Sequence, residues 1–253
     1  MTDHRPRVSE VADGVFQLAR AGVNAYLVAA DNGLVLIDAG LPRTWPLLER
    51  TLASLGARAS DIDALLLTHG HFDHVGMCER LVEEHRLVPR VHPGDAELVR
   101  HPYRYAHENA RLPYPFRYPG AVPILGRVVV AGALGVTGVR ADPTIFDGDM
   151  IPLAGGIVAI ATPGHTGGHC AFLLEARGIL LTGDALVTLD PYTGRTGPRV
   201  VARAATARSD DALRSLSLLA ETEASLVLPG HGEAWDRGGI ASAVAIARSR
   251  GVD

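Results

Sequence analysis

Lysine is missing altogether: all 24 basic residues of this 253-residue chain are arginine. No lysine can therefore act as a general base, form a Schiff base or anchor a substrate. Cysteine is nearly as scarce, with Cys78 and Cys170 far apart and in no paired-ligand spacing. That excludes a disulfide framework and a cysteine-rich zinc site, and leaves both thiols as small core residues. Met1–Glu10 lacks the apolar core of a secretory signal, and the longest apolar stretches, such as Val128–Val139, are too short and glycine-rich to span a bilayer. A cytoplasmic protein with no membrane span is the expectation. The formal net charge of -4 offers no basic face to nucleic acid.

What is present is ordinary for a globular chain: 47% hydrophobic and 21% charged residues, at a length that suits one large α/β domain or two small ones. Short β-type runs cover Gly14–Leu18, Asn24–Ala30 and Gly33–Asp38, the last two split by the hairpin signal Asp31-Asn32-Gly33. Helical spacing follows over Trp45–Leu55, then a continuous apolar run over Asp63–Thr68 that reads as a buried strand. Val75–His85 and Pro93–Arg100 read as helices. From His101 to Arg140 the pattern breaks into prolines, glycines and a cluster of aromatics, Tyr103, Tyr105, Tyr114, Phe116 and Tyr118. Strands resume at Ile157–Ala161, Ala171–Glu175, Gly178–Leu181 and Ser225–Leu228, with helices over Asp210–Thr222 and Gly239–Ser249. There is no internal repeat. The rhythm favours two packed sheets with helices outside, folded as a single domain over 1–253.

The chemistry sits at strand ends. Thr68-His69-Gly70-His71-Phe72-Asp73-His74 places three imidazoles and a carboxylate immediately after an apolar strand. Alternate residues of an extended chain share a side, so His69 and His71 can serve one point, while Asp73 and His74 at the following turn serve another nearby. Three further fragments end later strands: Thr162-Pro163-Gly164-His165, Thr182-Gly183-Asp184 and Pro229-Gly230-His231. Five imidazoles and two carboxylates suit borderline divalent cations, zinc first, with iron or manganese possible. The other six histidines, His4, His85, His92, His101, His107 and His169, read as surface or structural residues, with His169 the exception because it neighbours His165.

With those residues in hand, the chain resembles the metallo-β-lactamase-fold superfamily, whose pattern is His-x-His-x-Asp-His followed by a distant His, Asp and His. The resemblance implies an αββα sandwich of two mixed β-sheets flanked by helices. It implies a first metal on His69, His71 and His165, a second on Asp73, His74 and His231, and Asp184 bridging them together with a hydroxide. Asp38, ending its strand, matches a family position that supports the site. The implied activity is dinuclear metal-dependent hydrolysis, with two Zn2+ activating the hydroxide and Asp73 and Asp184 as the catalytic carboxylates. The substrate expected is a small-molecule ester, thioester or lactone.

Departures from known branches narrow this further. Metallo-β-lactamases generally lack the bridging carboxylate, so Asp184 argues against antibiotic hydrolysis. Lactonases of the fold place a Tyr shortly after the bridging Asp, where this chain has Ala185, Leu186 and Val187, with Tyr192 later. Two alternatives stand: a persulfide-dioxygenase-like enzyme with a single iron, and a phosphodiesterase. The aromatic segment 101–140 is expected to form a lid or substrate wall, making a lipophilic pocket; otherwise it packs a subunit interface, as in a homodimer, or a satellite core.

Overall fold

The computed structural model describes residues 5–253, so His4 lies outside the described residues. Strands β1 (Arg7–Ala12), β2 (Val15–Arg20), β3 (Val23–Ala30), β4 (Gly33–Ile37), β5 (Ala64–Leu66) and β6 (Pro89–Arg90) form a six-stranded sheet in chain order. The first three pairings are antiparallel, and β4·β5 and β5·β6 are parallel. The second sheet takes β7 (Met150–Ile151), β8 (Ile157–Ala161), β9 (Cys170–Leu174) and β10 (Ile179–Gly183). A separate hairpin of β11 (Val187–Leu189) and β12 (Thr196–Arg199) follows, and β13 (Leu226–Pro229) then returns to complete the order β13-β10-β9-β8-β7.

Alternation along the strands sorts side chains into three layers, the period-two consequence of an extended backbone. Val35, Ile37 and Leu66 of the first sheet meet Ile157, Phe172, Leu174 and Leu181 of the second, forming the core between the sheets. Leu36, Leu65 and Leu67 point the other way, onto α1 (Trp45–Ser54) and α2 (Cys78–His85) and the residues around α3 (Ala96–Arg100). Two helices, α4 (Tyr114–Arg117) and α5 (Val122–Val130), lie inside the segment read as irregular. Leu173, Leu180 and Val227 pack on α6 (Ser209–Ala220) and α7 (Gly239–Arg250). This is the αββα sandwich. Both faces of the central strands are covered, which is why they read as unbroken apolar runs; each fully buried Leu or Phe contributes about 1.5–3 kcal/mol.

The irregular reading of 101–140 is corrected by α4 and α5. Both helices carry a proline in the first turn, where the missing N–H costs nothing, so the residues that looked like breakers are helix starts. Cys78 and Cys170 are free and buried, as small core residues. Among the described residues no helix is long and apolar enough to cross a membrane.

The strand directions position the site. β8 and β10 both run antiparallel to β9, and β13 is parallel to β10, so all three end on the same side of their sheet. The turns carrying His165, Asp184 and His231 follow those ends, and the loop carrying His69 to His74 follows β5 of the facing sheet. Ligand-bearing turns at the carboxyl ends of strands are held by rigid scaffold.

Candidate metal centre

Seven side chains from four loops converge. Nitrogen or oxygen atoms of His69, His71 and His165 lie within 4.8 Å of one another, as do those of His69, His74 and Asp184, and those of Asp73, His74 and His231. All seven residues are buried. Nδ1 of His71 faces Nε2 of His165 at 3.0 Å. Asp184 sits at the middle, its carboxylate 3.2 Å from Nε2 of His231, 3.4 Å from Nε2 of His165 and 3.5 Å from Nε2 of His74. Asp73 lies 3.4 Å from Nε2 of His231. The structure thus brings together all seven residues that the sequence pointed to, in three overlapping groups that share His69 and His74.

Supporting contacts fix which atom of each ring faces inward. Asp38, whose left-handed backbone (φ 58) an Asp tolerates, accepts the N–H and hydroxyl of Thr68, each at 2.8 Å. Its carboxylate also lies 2.9 Å from Nδ1 of His74, and the Thr68 hydroxyl oxygen lies 3.0 Å from Nδ1 of His69. Both rings therefore spend Nδ1–H outward and aim Nε2 at the cluster, the arrangement that orients imidazole ligands. His169 works from outside the cluster. Its Nε2 accepts the backbone N–H of Asp184 at 3.0 Å, and its Nδ1 is 2.7 Å from the Thr162 hydroxyl. Burial depresses the His169 pKa to about 3, so the ring stays neutral and keeps accepting.

One supporting residue escaped the sequence reading. Asp95, buried at the start of α3, accepts the N–H of Gly70 at 2.9 Å and that of Gly168 at 2.7 Å, tying the His69–His71 loop to the loop after His165. Nothing marks it in the sequence, where an acid in the first turn of a helix is commonplace. Asp95→Asn keeps one acceptor and turns an amide N–H towards the other donor, so it is expected to lower unfolding stability by about 1–3 kcal/mol in urea titrations. A loss below about 0.5 kcal/mol would mean that the two loops hold each other without it.

The charges of the cluster are divided. Burial holds His69 and His71 well below the ordinary histidine range and His165 down at about 4, so these rings are neutral and present lone pairs. In His74 burial is outweighed by Asp184 and Asp38, which lift the ring to about 9. In His231 it is outweighed by Asp184 and Asp73, which raise it well above 6.5. The metal-free cluster at neutral pH thus holds two imidazolium protons against its carboxylates, in places a cation can take. Adding zinc to the metal-free protein at pH 7 is expected to release protons into weak buffer, up to two per chain, and affinity is expected to climb with pH through about 9, where His74 gives up its proton. Because His74 is raised in the fold from 6.5 to about 9, its contribution to metal-free stability is complete below pH 6.5 and is lost as pH rises through 9. Proton-neutral binding at pH 7 would contradict this division of charge.

A cavity opens onto the cluster. His71, Asp73, His165, Asp184 and His231 line its floor, and Phe72, Tyr105, Leu125, Val128, Tyr192 and Val201 are among its walls. Tyr105, Leu125 and Val128 come from the aromatic segment. The Tyr105 ring lies against His71, 4.1 Å between centroids, and its hydroxyl is 2.9 Å from that of Tyr192. No arginine is among the lining residues.

Comparison with known proteins supplies a family. The family model described as the metallo-beta-lactamase superfamily matches residues 19–231. A probable metallo-hydrolase of Bacillus subtilis, YflN, is 29% identical over 185 residues, which is 72% of this chain and 67% of that one. An atrochrysone carboxyl ACP thioesterase of Aspergillus fumigatus is 27% identical over 234 residues, 90% of this chain and 56% of that one. Among solved structures, a metallo-beta-lactamase family protein from Thermus thermophilus superposes with a TM-score of 0.67 at 25% identity, covering 95% of this chain and 80% of that one.

Proposed function

The chain belongs to the metallo-beta-lactamase superfamily, and from that premise we propose that it is a dinuclear metal-dependent hydrolase of uncharged, lipophilic acyl compounds: esters, thioesters or lactones. The observation that carries the proposal is a set of buried polar atoms left without hydrogen-bond partners, Nε2 of His69, Nε2 of His74 and Oδ1 of Asp184, all within the cluster. Leaving a buried polar atom unpaired costs about 1–3 kcal/mol, so an inward-facing group of them is the mark of a site made for a cation. In this reading His69, His71 and His165 would hold one metal, Asp73, His74 and His231 the second, and Asp184 would serve both. The donor set, imidazole and carboxylate, fits zinc, with manganese or iron as the nearest competitors.

Two such cations would supply hydroxide at neutral pH and a positive field for the oxyanion that develops on an attacked carbonyl. The protein's share is orientation and proton handling. Asp38 and Thr68 hold His74 and His69 in one tautomer. Asp73, which lines the cavity floor, would accept a hydrogen bond from the attacking oxygen and pass its proton to the leaving group. The walls select the substrate. With no lysine in the chain and no arginine in the lining, the walls add no cationic side chain for a second phosphate or carboxylate group, whereas the apolar side chains exclude water from a lipophilic acyl group. This favours acyl transfer to water over phosphodiester cleavage. The thioesterase similar to this chain fits the same chemistry. Segment 101–140 is read as the wall and lid that shapes the pocket.

The test begins with metal content per chain by elemental analysis on protein purified without added metal. About two zinc or manganese ions per chain, with turnover of medium-chain esters, thioesters or lactones that a chelator abolishes, is the expected result. A single iron with oxygen uptake on persulfides would sink the proposal.

A further inference from the structure

The aromatic segment also exposes apolar side chains that do not line the cavity. Six of the thirteen large hydrophobic side chains exposed among the described residues fall between residues 112 and 134, including the three most exposed: Leu112 (84%), Phe116 (89%), Val122, Val129, Val130 and Leu134 (78%). At 100° per residue, Val122, Val129 and Val130 share one side of α5 with Pro123 and Gly126, while Ile124 and Val128 are buried on the other side and Leu125 lines the cavity. A surface helix ordinarily turns polar residues to solvent; α5 is apolar on both sides, with Arg127 at the edge of its outer face. The charge around it is equally one-sided. Segment 101–140 holds five arginines (Arg104, Arg111, Arg117, Arg127, Arg140) against one acid, Glu108, in a chain of formal net charge -4. Glu108 is occupied elsewhere, bonded to Arg203 and to the N–H and hydroxyl of Ser209.

We propose that this face docks on an anionic lipid surface, with Phe116, Val130 and Leu134 entering the headgroup boundary and Arg117 and Arg127, on the same two helices as Phe116 and Val130, meeting lipid phosphates. Exposed apolar side chains flanked by arginine are what an interfacial helix presents, and the positive segment in an acidic chain orients it. A second copy of the chain is the poorer partner, because a two-fold contact through this face brings arginines against arginines. The inference goes beyond the hydrolytic reading, since binding is measured without turnover. It also gives the lid position a use: α5 would lie between the lipid and the cavity that Leu125 and Val128 line.

The experiment is flotation of the full chain with vesicles of phosphatidylcholine alone and of phosphatidylcholine with 30–50% phosphatidylglycerol (about that range). Binding to the anionic vesicles, weakened on the order of tenfold by raising salt towards 1 M, is expected. Phe116→Asp, Val130→Asp and Leu134→Asp should each weaken it on the order of tenfold, while Leu218→Asp, an exposed position on α6, leaves it unchanged. Circular dichroism checks that the exposed substitutions keep the fold. The proposal is overturned by failure of the wild type to float, by retention of binding in all three lid variants, or by a dimer in ultracentrifugation that those variants dissolve. Capture of an acidic carrier protein with no affinity for vesicles would equally overturn it.

Discussion

Asp184→Asn lowers kcat/KM of the metal-supplemented protein by on the order of 10³-fold while the chain stays folded. The substitution keeps shape and removes only charge, at the point from which His231, His165 and His74 are 3.2, 3.4 and 3.5 Å away. Two independent readouts accompany the rate. Metal content is expected to fall below two per chain, because the carboxylate proposed to serve both metals is gone. The protons released at pH 7 on zinc addition also fall, because burial alone lowers His74 and His231, and Asp184 is the foremost charge holding them up. An Asp184→Asn variant that retains activity within about tenfold would remove Asp184 from the catalytic set.

Gly230→Ala is expected to be nearly as damaging by a different route. A Cβ there would land on Oδ1 of Asp184 and lie 2.8 Å from Cε1 of His74. The backbone cannot retreat, since the Gly230 N–H donates to the Gly183 carbonyl and its own carbonyl accepts from the N–H of Asn24, both at 2.8 Å. The side chains must therefore move, and metal affinity should drop about 10–100-fold, measured by competition with a chromogenic chelator. Gly167→Ala, where an added Cβ meets no atom within 4 Å, serves as the comparison and should retain wild-type affinity. Equal affinities in the two variants would mean that Asp184 and His74 have more freedom than their packing implies.

Most of the site was readable because its chemistry is local. His69, His71, Asp73 and His74 lie in one six-residue run, and Asp184 and His231 each follow an apolar strand and a glycine. The central strands were equally plain, because burial on both faces leaves a continuous apolar signature. What escaped were elements defined by distant partners. β1, with alternating partial exposure, has no apolar run to betray it, and β11 and β12 bracket Asp190-Pro191, which reads as a turn. Asp95 acts only through backbone groups of two loops that meet it in space. The helices of the aromatic segment were hidden by prolines whose meaning depends on position: breakers inside a helix, starters at its first turn.

The His231 turn is fastened to the opposite end of the chain. The Asn24 side chain donates to the carbonyls of Pro229 and Gly232 at 2.9 and 2.8 Å, and Tyr26 donates to Pro229 at 2.8 Å, across more than 200 residues of sequence. Closing a loop of such length offers no local compensation, so these contacts are expected to form after local hairpins and helices. A chain still being synthesised holds His69 to His74 long before this clasp can close, so the His231 side of the cluster is expected to be set only once the C-terminal strand has docked. Loss of the clasp in a fluctuation opens the cage from the same side. Slow metal exchange should therefore track the rate at which the final strand undocks, and not the rate of global unfolding.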